Sequence, residues 1–355
     1  MQRVMEMINA IWLMIWLITV CIGCFILLSL HLLWKKHQEV KREKGREIYK
    51  KRTQLSWHNF FLSDGPLVES AIPIRKEEIE GYEELSYIYV NSVTSELTSQ
   101  KLHDIATDYL RTHYKKLLNS PRKGLRLKAL ARIEDYGNIE ILKENNWTNR
   151  RMKTKEERLM LLLIYSRHDE TAFIEFFLRY ESDLTEFDCR KMFKHLSKLT
   201  LSSLISLFRE LELHSIYALI DTLSIKRELD FIPFLKKLVN SNDREVRIRA
   251  AKALYTMRVG DEDICLKLVE CGAWVEKLMA AKLARYVKSS NINALLFKLL
   301  EDRDWKVREQ AARTIVHHNE AIDAVEQYIE SSSDQYTVEI IREIIKREGS
   351  GSWIG

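Results

Sequence analysis

Residues 242–254 read NDREVRIRAAKAL, and residues 302–315 read DRDWKVREQAARTI. In both stretches, Val and Arg stand three and four positions after an Asp, and a pair of alanines follows. Asp243 is placed to cap the free amides at the start of a helix that contains Val246. Each stretch therefore predicts a helix with an acidic cap and small side chains along it.

The apolar residues of the first stretch predict one buried helix face. Five of them recur at helical spacing: Val246, Ala250, Ala253, Leu254 and Met257. The basic residues between them fall on other faces, and the alanines allow a neighbouring helix to approach closely. We interpret the Val-Arg motif as structural, with roles in capping, core packing and Asp–Arg pairing between repeats.

Matching alanines recur with a period of about thirty residues. Ala250 and Ala280 are 30 positions apart, Ala280 and Ala311 are 31 apart, and Ala129 lies 121 positions before Ala250, which is four periods. Two short helices and two turns need this length, so the period predicts stacked helix pairs that bury their faces against their neighbours. Scarce Gly (11) and Pro (4) also favour helices over sheet. The predicted fold is all-α, an α-α superhelix or solenoid.

The pattern resembles HEAT repeats. Pro233 early in one helix, Asp243 in the turn and Val246-Arg247 at the start of the next helix stand where that family has them. The residues that follow resemble the short repeats of phycobilisome lyases. This resemblance implies a helical frame, which does not carry an enzymatic activity by itself. The composition is typical of a bacterial protein, and similar single-span HEAT proteins occur near membrane glycosyltransferases of polysaccharide export.

The N-terminal segment is predicted to cross a membrane. Residues 8–34 contain no Lys, Arg, Asp or Glu, and about 20 apolar residues suffice to span about 30 Å of hydrocarbon. A cleaved signal peptide would have a shorter apolar core and a more basic start. Nine Lys or Arg follow in residues 35–52, whereas Arg3 alone precedes the span. This asymmetry predicts a single-pass cell-membrane protein with its N-terminus outside and its C-terminal part in the cytoplasm.

Two basic segments are candidate binding surfaces. The first is expected to continue the helix and contact anionic lipid, through Lys35, Lys36, Lys41, Arg42, Lys44, Arg46, Lys50, Lys51 and Arg52. The second, residues 111–158, follows an acidic segment, residues 53–110. It is either a solvated face paired with that acidic segment or a docking surface for lipid or an acidic protein. The residues of the docking alternative are Lys115, Lys116, Arg122, Lys123, Arg126, Lys128, Arg150 and Arg151.

The expected domain order has five parts. They are a transmembrane helix (1–34), a basic juxtamembrane helix (35–52), a linker with capping helices (53–110), a HEAT-like solenoid (111–346) and a flexible tail (347–355). The first half of the linker holds two of the four prolines and is expected to be irregular.

Motifs of catalysis are scarce in this sequence. It has no Gly-rich phosphate loop, nucleophile elbow or H-E-x-x-H pair, and Cys265 and Cys271 lack a companion at zinc spacing. We therefore expect no catalytic residue, cofactor, metal or small-molecule substrate. The expected function is a membrane-anchored scaffold or accessory subunit for a membrane-proximal protein. A lyase-type modifying enzyme and a nucleic-acid-binding repeat protein are the alternatives; nucleic acid is not an expected partner, because a membrane tether argues against it.

Overall fold

The computed structural model describes residues 2–63, 65–92, 95–144, 154–318 and 322–349. These residues form helices and turns without a strand, which confirms the all-α class. The chain divides into two units, Met1–Met152 and Lys153–Gly355. Arg150, Arg151 and most of the predicted tail lie outside the described residues.

A single helix, α1 (Gln2–Leu62), contains both the predicted span and the basic segment after it. None of the residues in its most apolar window is buried, and the helix is long and apolar enough to cross a membrane by length and composition. The helix also continues past Thr53, where irregular backbone was expected. Packing explains the difference, because four buried residues recur every fourth position and form one face inside the first unit: Tyr49, Thr53, Trp57 and Phe61.

The first unit continues beyond α1 with shorter helices. They are α2 (Lys76–Ser92), α3 (Glu96–Ile105), α4 (Arg111–Leu118), α5 (Lys123–Tyr136) and α6 (Glu140–Glu144). Aromatic rings fill the contact between α1 and α2, where the ring centre of Trp57 lies 4.8 Å from that of Tyr82. Gly81 allows this approach, because a Cβ atom there would lie 2.7 Å from the ring of Tyr49.

The second unit is built from paired helices that repeat along the chain. One row of helices, in which each member packs on the next, consists of α7 (Lys155–His168), α9 (Glu186–Phe193), α11 (Leu213–Lys226), α13 (Arg244–Thr256), α15 (Trp274–Ala284), α17 (Trp305–His317) and α19 (Gln335–Gly349). Between successive members lie α8 (Glu170–Tyr180), α10 (Lys198–Ser206), α12 (Ile232–Leu238), α14 (Glu262–Glu270), α16 (Ser290–Leu300) and α18 (Ile322–Ser331). This repeat-like packing confirms the predicted solenoid architecture.

Alanines make the close contacts within the row. Ala250, Ala280 and Ala311 occupy equivalent positions in α13, α15 and α17, and all three are completely buried. Thr314 stands where α13 has an alanine, and its hydroxyl donates to the carbonyl oxygen of Ala281 at 2.8 Å. The polar side chain is accepted in this packed contact because its hydroxyl has a partner.

Candidate binding surfaces

The Val-Arg motif forms the turns between paired helices. The carboxylate of Asp243 accepts a hydrogen bond from the backbone amide of Val246 at 2.8 Å, which confirms the predicted cap. Arg247 donates through Nη1 to the carbonyls five and six residues before it. Arg308 and, in the first unit, Arg126 do the same. The arginine therefore stabilises the turn that precedes its own helix. Its role is structural in Arg126, Arg247 and Arg308.

Arg247 also reaches the next repeat. Its Nε donates to a carboxylate oxygen of Glu276 at 2.7 Å, and Glu276 is only 1% exposed. Glu276 stands where α13 and α17 have Val, so this departure from the repeat pattern supplies a partner for the arginine. Lys277 pairs in the same way with Asp302 of the following repeat, at 2.6 Å. Ion pairs therefore link successive repeats, but neither of these two is the predicted Asp–Arg pair.

The basic residues of α1 have two kinds of surroundings. Four of them pair with glutamates of α2: Arg42 with Glu80, Arg46 and Lys50 with Glu84 at 2.9 and 2.8 Å, and Arg52 with Glu78 at 3.6 Å. The other predicted residues are exposed: Lys35, Lys36, Lys41, Lys44 and Lys51. The acidic face of α2 thus takes up much of the positive charge that was predicted to face lipid.

The second basic segment is also divided. Lys115 pairs with Glu144 at 2.6 Å, and Lys128 pairs with the buried Glu83 of α2 at 2.7 Å. Arg126 is buried and donates to the turn before α5, so we remove it from the predicted docking patch. The remaining described members are exposed: Lys116, Arg122 and Lys123. The contact of Lys128 with Glu83 agrees with the alternative in which this segment pairs with the acidic one.

Glu83 lies at the centre of a buried polar cluster in the first unit. It is 2% exposed, and it accepts a hydrogen bond from the hydroxyl of Tyr114 at 3.2 Å in addition to the Lys128 ion pair. Burial raises the pKa values of Tyr82 and Tyr114 well above the usual range of a phenol. Both phenols therefore stay protonated, and the cluster holds α2, α4 and α5 together.

The described part of the chain has no cluster of metal-ligating side chains. No three His, Cys, Asp or Glu side chains among its residues are arranged to hold a metal ion. Cys189 and Cys265 are buried, and burial raises the pKa of each thiol to about 12. Because the thiolate is the reactive form, these two cysteines are packing groups at neutral pH.

The second unit carries an aromatic row, formed by Trp274, Trp305 and Tyr336, that was not predicted from the sequence. Trp274 and Trp305 open α15 and α17 and are 41% and 50% exposed. The ammonium of Lys306 lies 5.1 Å from the ring centre of Trp274 and 5.7 Å from that of Trp305. Tyr336, near the start of α19, continues the row, and the guanidinium of Arg308 lies 5.1 Å from its ring centre. The sequence signal was an aromatic residue recurring every 31 positions at the start of a helix.

A groove of about 730 Å³ runs along α1 beside the start of α2. Trp34 lines it on α1, and Arg75 and Lys76 line it on the other side. Sequence reasoning missed this site because Arg75 and Lys76 stand far from the predicted span in the chain. The packing of α2 on α1 brings Arg75 and Lys76 into the same groove as Trp34.

No family model and no curated protein sequence matches this chain. Among solved structures, the chain is similar to the crystal structure of an engineered protein, with a TM-score of 0.34 and 17% sequence identity. The match covers 87% of this chain and 95% of that one.

Proposed function

We propose that this protein is a membrane-anchored scaffold whose helical repeats bind a membrane-proximal protein in the cytoplasm. The observation that carries the proposal is the continuity of α1. The same helix contains the exposed apolar segment and the face that Tyr49, Trp57 and Phe61 bury in the first unit. A folded domain tethered in this way meets partners in the same membrane at a raised effective concentration.

The charge around the span supports a cytoplasmic location for both units. In this arrangement, α1 rises 1.5 Å per residue, so Arg52 lies about 27 Å along the helix axis beyond Trp34. Charges are screened over about 8 Å at physiological ionic strength. Lys35, Lys36 and Lys41 lie within about 11 Å of Trp34 along the helix axis, and among the α1 residues predicted to bind lipid we assign these three to the membrane surface. The paired arginines higher on α1 belong to the contact with α2.

The geometry of the repeats supports their assignment to the HEAT class. Paired helices, the Asp243 cap and the Arg247 turn are the features on which the resemblance rests. A bacterial source and a partner in polysaccharide export, such as a membrane glycosyltransferase, follow from the resemblance alone.

The aromatic row is the surface of the second unit that best fits a protein partner. Binding hot spots are enriched in Trp, Tyr and Arg, because large rigid side chains bury much area on contact. Trp274 and Trp305 leave half or nearly half of their surface exposed in successive repeats. Lys306 between them adds a charge that selects the orientation of the partner.

Cross-linking in native membranes tests the proposal. A photo-activated cross-linker at Tyr336 of the full-length chain is expected to capture a membrane-associated protein. The double variant Trp274→Ala/Trp305→Ala is expected to lose this product. A matched control, Phe187→Ala, removes an exposed aromatic side chain outside the row (69% exposed) and is expected to retain it. Release of the chain by alkaline carbonate, or equal capture by both variants, would contradict the scaffold function.

A further inference from the structure

The groove beside α1 opens at the predicted boundary between lipid and water. Trp34, the last residue of the uncharged stretch, lines its lower end and is 61% exposed. The same groove is lined by Arg75 and Lys76 from the start of α2. This part of α2 lies beside α1 at Gly45, where a Cβ atom would make an ordinary contact of 3.4 Å with the side chain of Glu77.

The lining of the groove is positively charged. Six Lys or Arg side chains and three glutamates contribute to it. One of the glutamates, Glu78, is occupied, because its carboxylate accepts hydrogen bonds from the backbone amides of Ile74 and Arg75 at 3.1 and 3.0 Å and pairs with Arg52. Arg42 is likewise paired with Glu80, which leaves four cations of the groove, Lys35, Lys41, Arg75 and Lys76, against the carboxylates of Glu39 and Glu77.

The surroundings of Lys76 and Arg75 add two observations. Burial lowers the pKa of Lys76, and the neighbouring Arg42, Lys128 and Arg122 lower it further. Ile74, directly before Arg75, is 83% exposed and is the most exposed large apolar side chain among the described residues.

We propose that this groove binds the headgroup of an anionic phospholipid, with Arg75 and Lys76 as the residues that select it. The inference rests on α1 spanning the membrane, which is part of the function proposed above. It goes beyond a basic flank on the span, because the charge is presented on two sides of a defined groove. Such a site would select anionic lipids and would also set the orientation of the first unit relative to the membrane surface.

Lipid selectivity of the full-length chain tests this site. The protein is purified in a mild detergent with equal amounts of phosphatidylglycerol and phosphatidylcholine, and the bound lipids are counted by native mass spectrometry. The wild-type chain is expected to retain phosphatidylglycerol preferentially. In Arg75→Gln/Lys76→Gln this preference is expected to fall fivefold or more, because each basic residue near an anionic surface contributes about fivefold to binding.

A matched control separates the groove from net charge. Lys191→Gln/Lys194→Gln removes two exposed basic residues of the second unit and is expected to keep the preference. Far-UV circular dichroism checks that both variants remain helical. An unchanged preference in Arg75→Gln/Lys76→Gln, or an equal loss in the control, would overturn the lipid site. The measurement needs no protein partner, so this failure would leave the scaffold function to its own cross-linking test.

Discussion

Replacing Glu276 by Gln is expected to destabilise the second unit much more than the same change at an exposed ion pair. The Glu276 carboxylate is 1% exposed and lies 2.7 Å from Nε of Arg247. Removing one partner of a buried pair costs about 3–5 kcal/mol, because the other charge is left in a poor solvent. Arg247 keeps its two carbonyl acceptors, so we expect the lower end, about 3 kcal/mol.

For a unit of this size, that cost corresponds to a fall in Tm of about 6–12 °C. Thermal unfolding of the full-length chain in detergent, followed by tryptophan fluorescence, measures it, since Trp274 stands two residues before Glu276. The control is Glu309→Gln, which breaks an exposed pair with Arg313 at 2.8 Å within α17. An exposed pair of this kind contributes about 0.5 kcal/mol, or about 1–2 °C. Equal shifts in the two variants would refute the assignment of Glu276 as a buried link between repeats.

Three other outcomes follow from the structure. Gly81→Val is expected to destabilise the α1–α2 contact by about 2 kcal/mol through overpacking. Limited proteolysis should then cut α1 faster than in the wild-type chain. An unchanged rate of cleavage would contradict the close approach of the two helices at Gly81. In intact cells, a membrane-impermeant maleimide is expected to label the exposed Cys271 only after the membrane is permeabilised. Cys189 is expected to stay unlabelled, because it is buried and the pKa of its thiol is raised to about 12. Labelling of Cys271 without permeabilisation would contradict the cytoplasmic location of the second unit. Burial and nearby basic side chains lower the pKa of His195 from 6.5 to about 4. On acidification, His195 is therefore protonated at a higher pH in the unfolded chain than in the folded chain. The free energy of unfolding is expected to fall by about 1 kcal/mol as the pH drops from 6.5 towards 4. His195→Gln is expected to show a smaller loss of Tm between pH 7 and pH 5, and an identical loss would exclude this histidine.

Much of the fold was predictable because its signals are local. The cap of Asp243 on Val246 depends on residues three positions apart, and the buried alanine face depends on helical spacing. The helical extension of α1 past Thr53 was not predictable in this way. Its helical backbone is stabilised by packing of Trp57 against Tyr82 of α2, a residue that is distant in the sequence.

The candidate surfaces were predictable only in part. The charge pattern indicated a basic segment after the span, but it did not show that Arg46 and Lys50 face Glu84. Arg126 was counted as surface charge because a sequence does not reveal which carbonyls a guanidinium can reach. The aromatic row had a sequence signal, the spacing of 31 residues between Trp274 and Trp305, which was visible but not used.

The sequence alone determined the helical class, the thirty-residue repeat and the apolar segment long enough to cross a membrane. These properties follow from spacing and composition along one helix, which is where helical periodicity and hydropathy act. Which charges are neutralised and which remain available depends on how the helices pack in three dimensions. Glu276 became the partner of Arg247, and Arg75 and Lys76 came to lie beside Trp34, because helix packing brings together residues from separate segments.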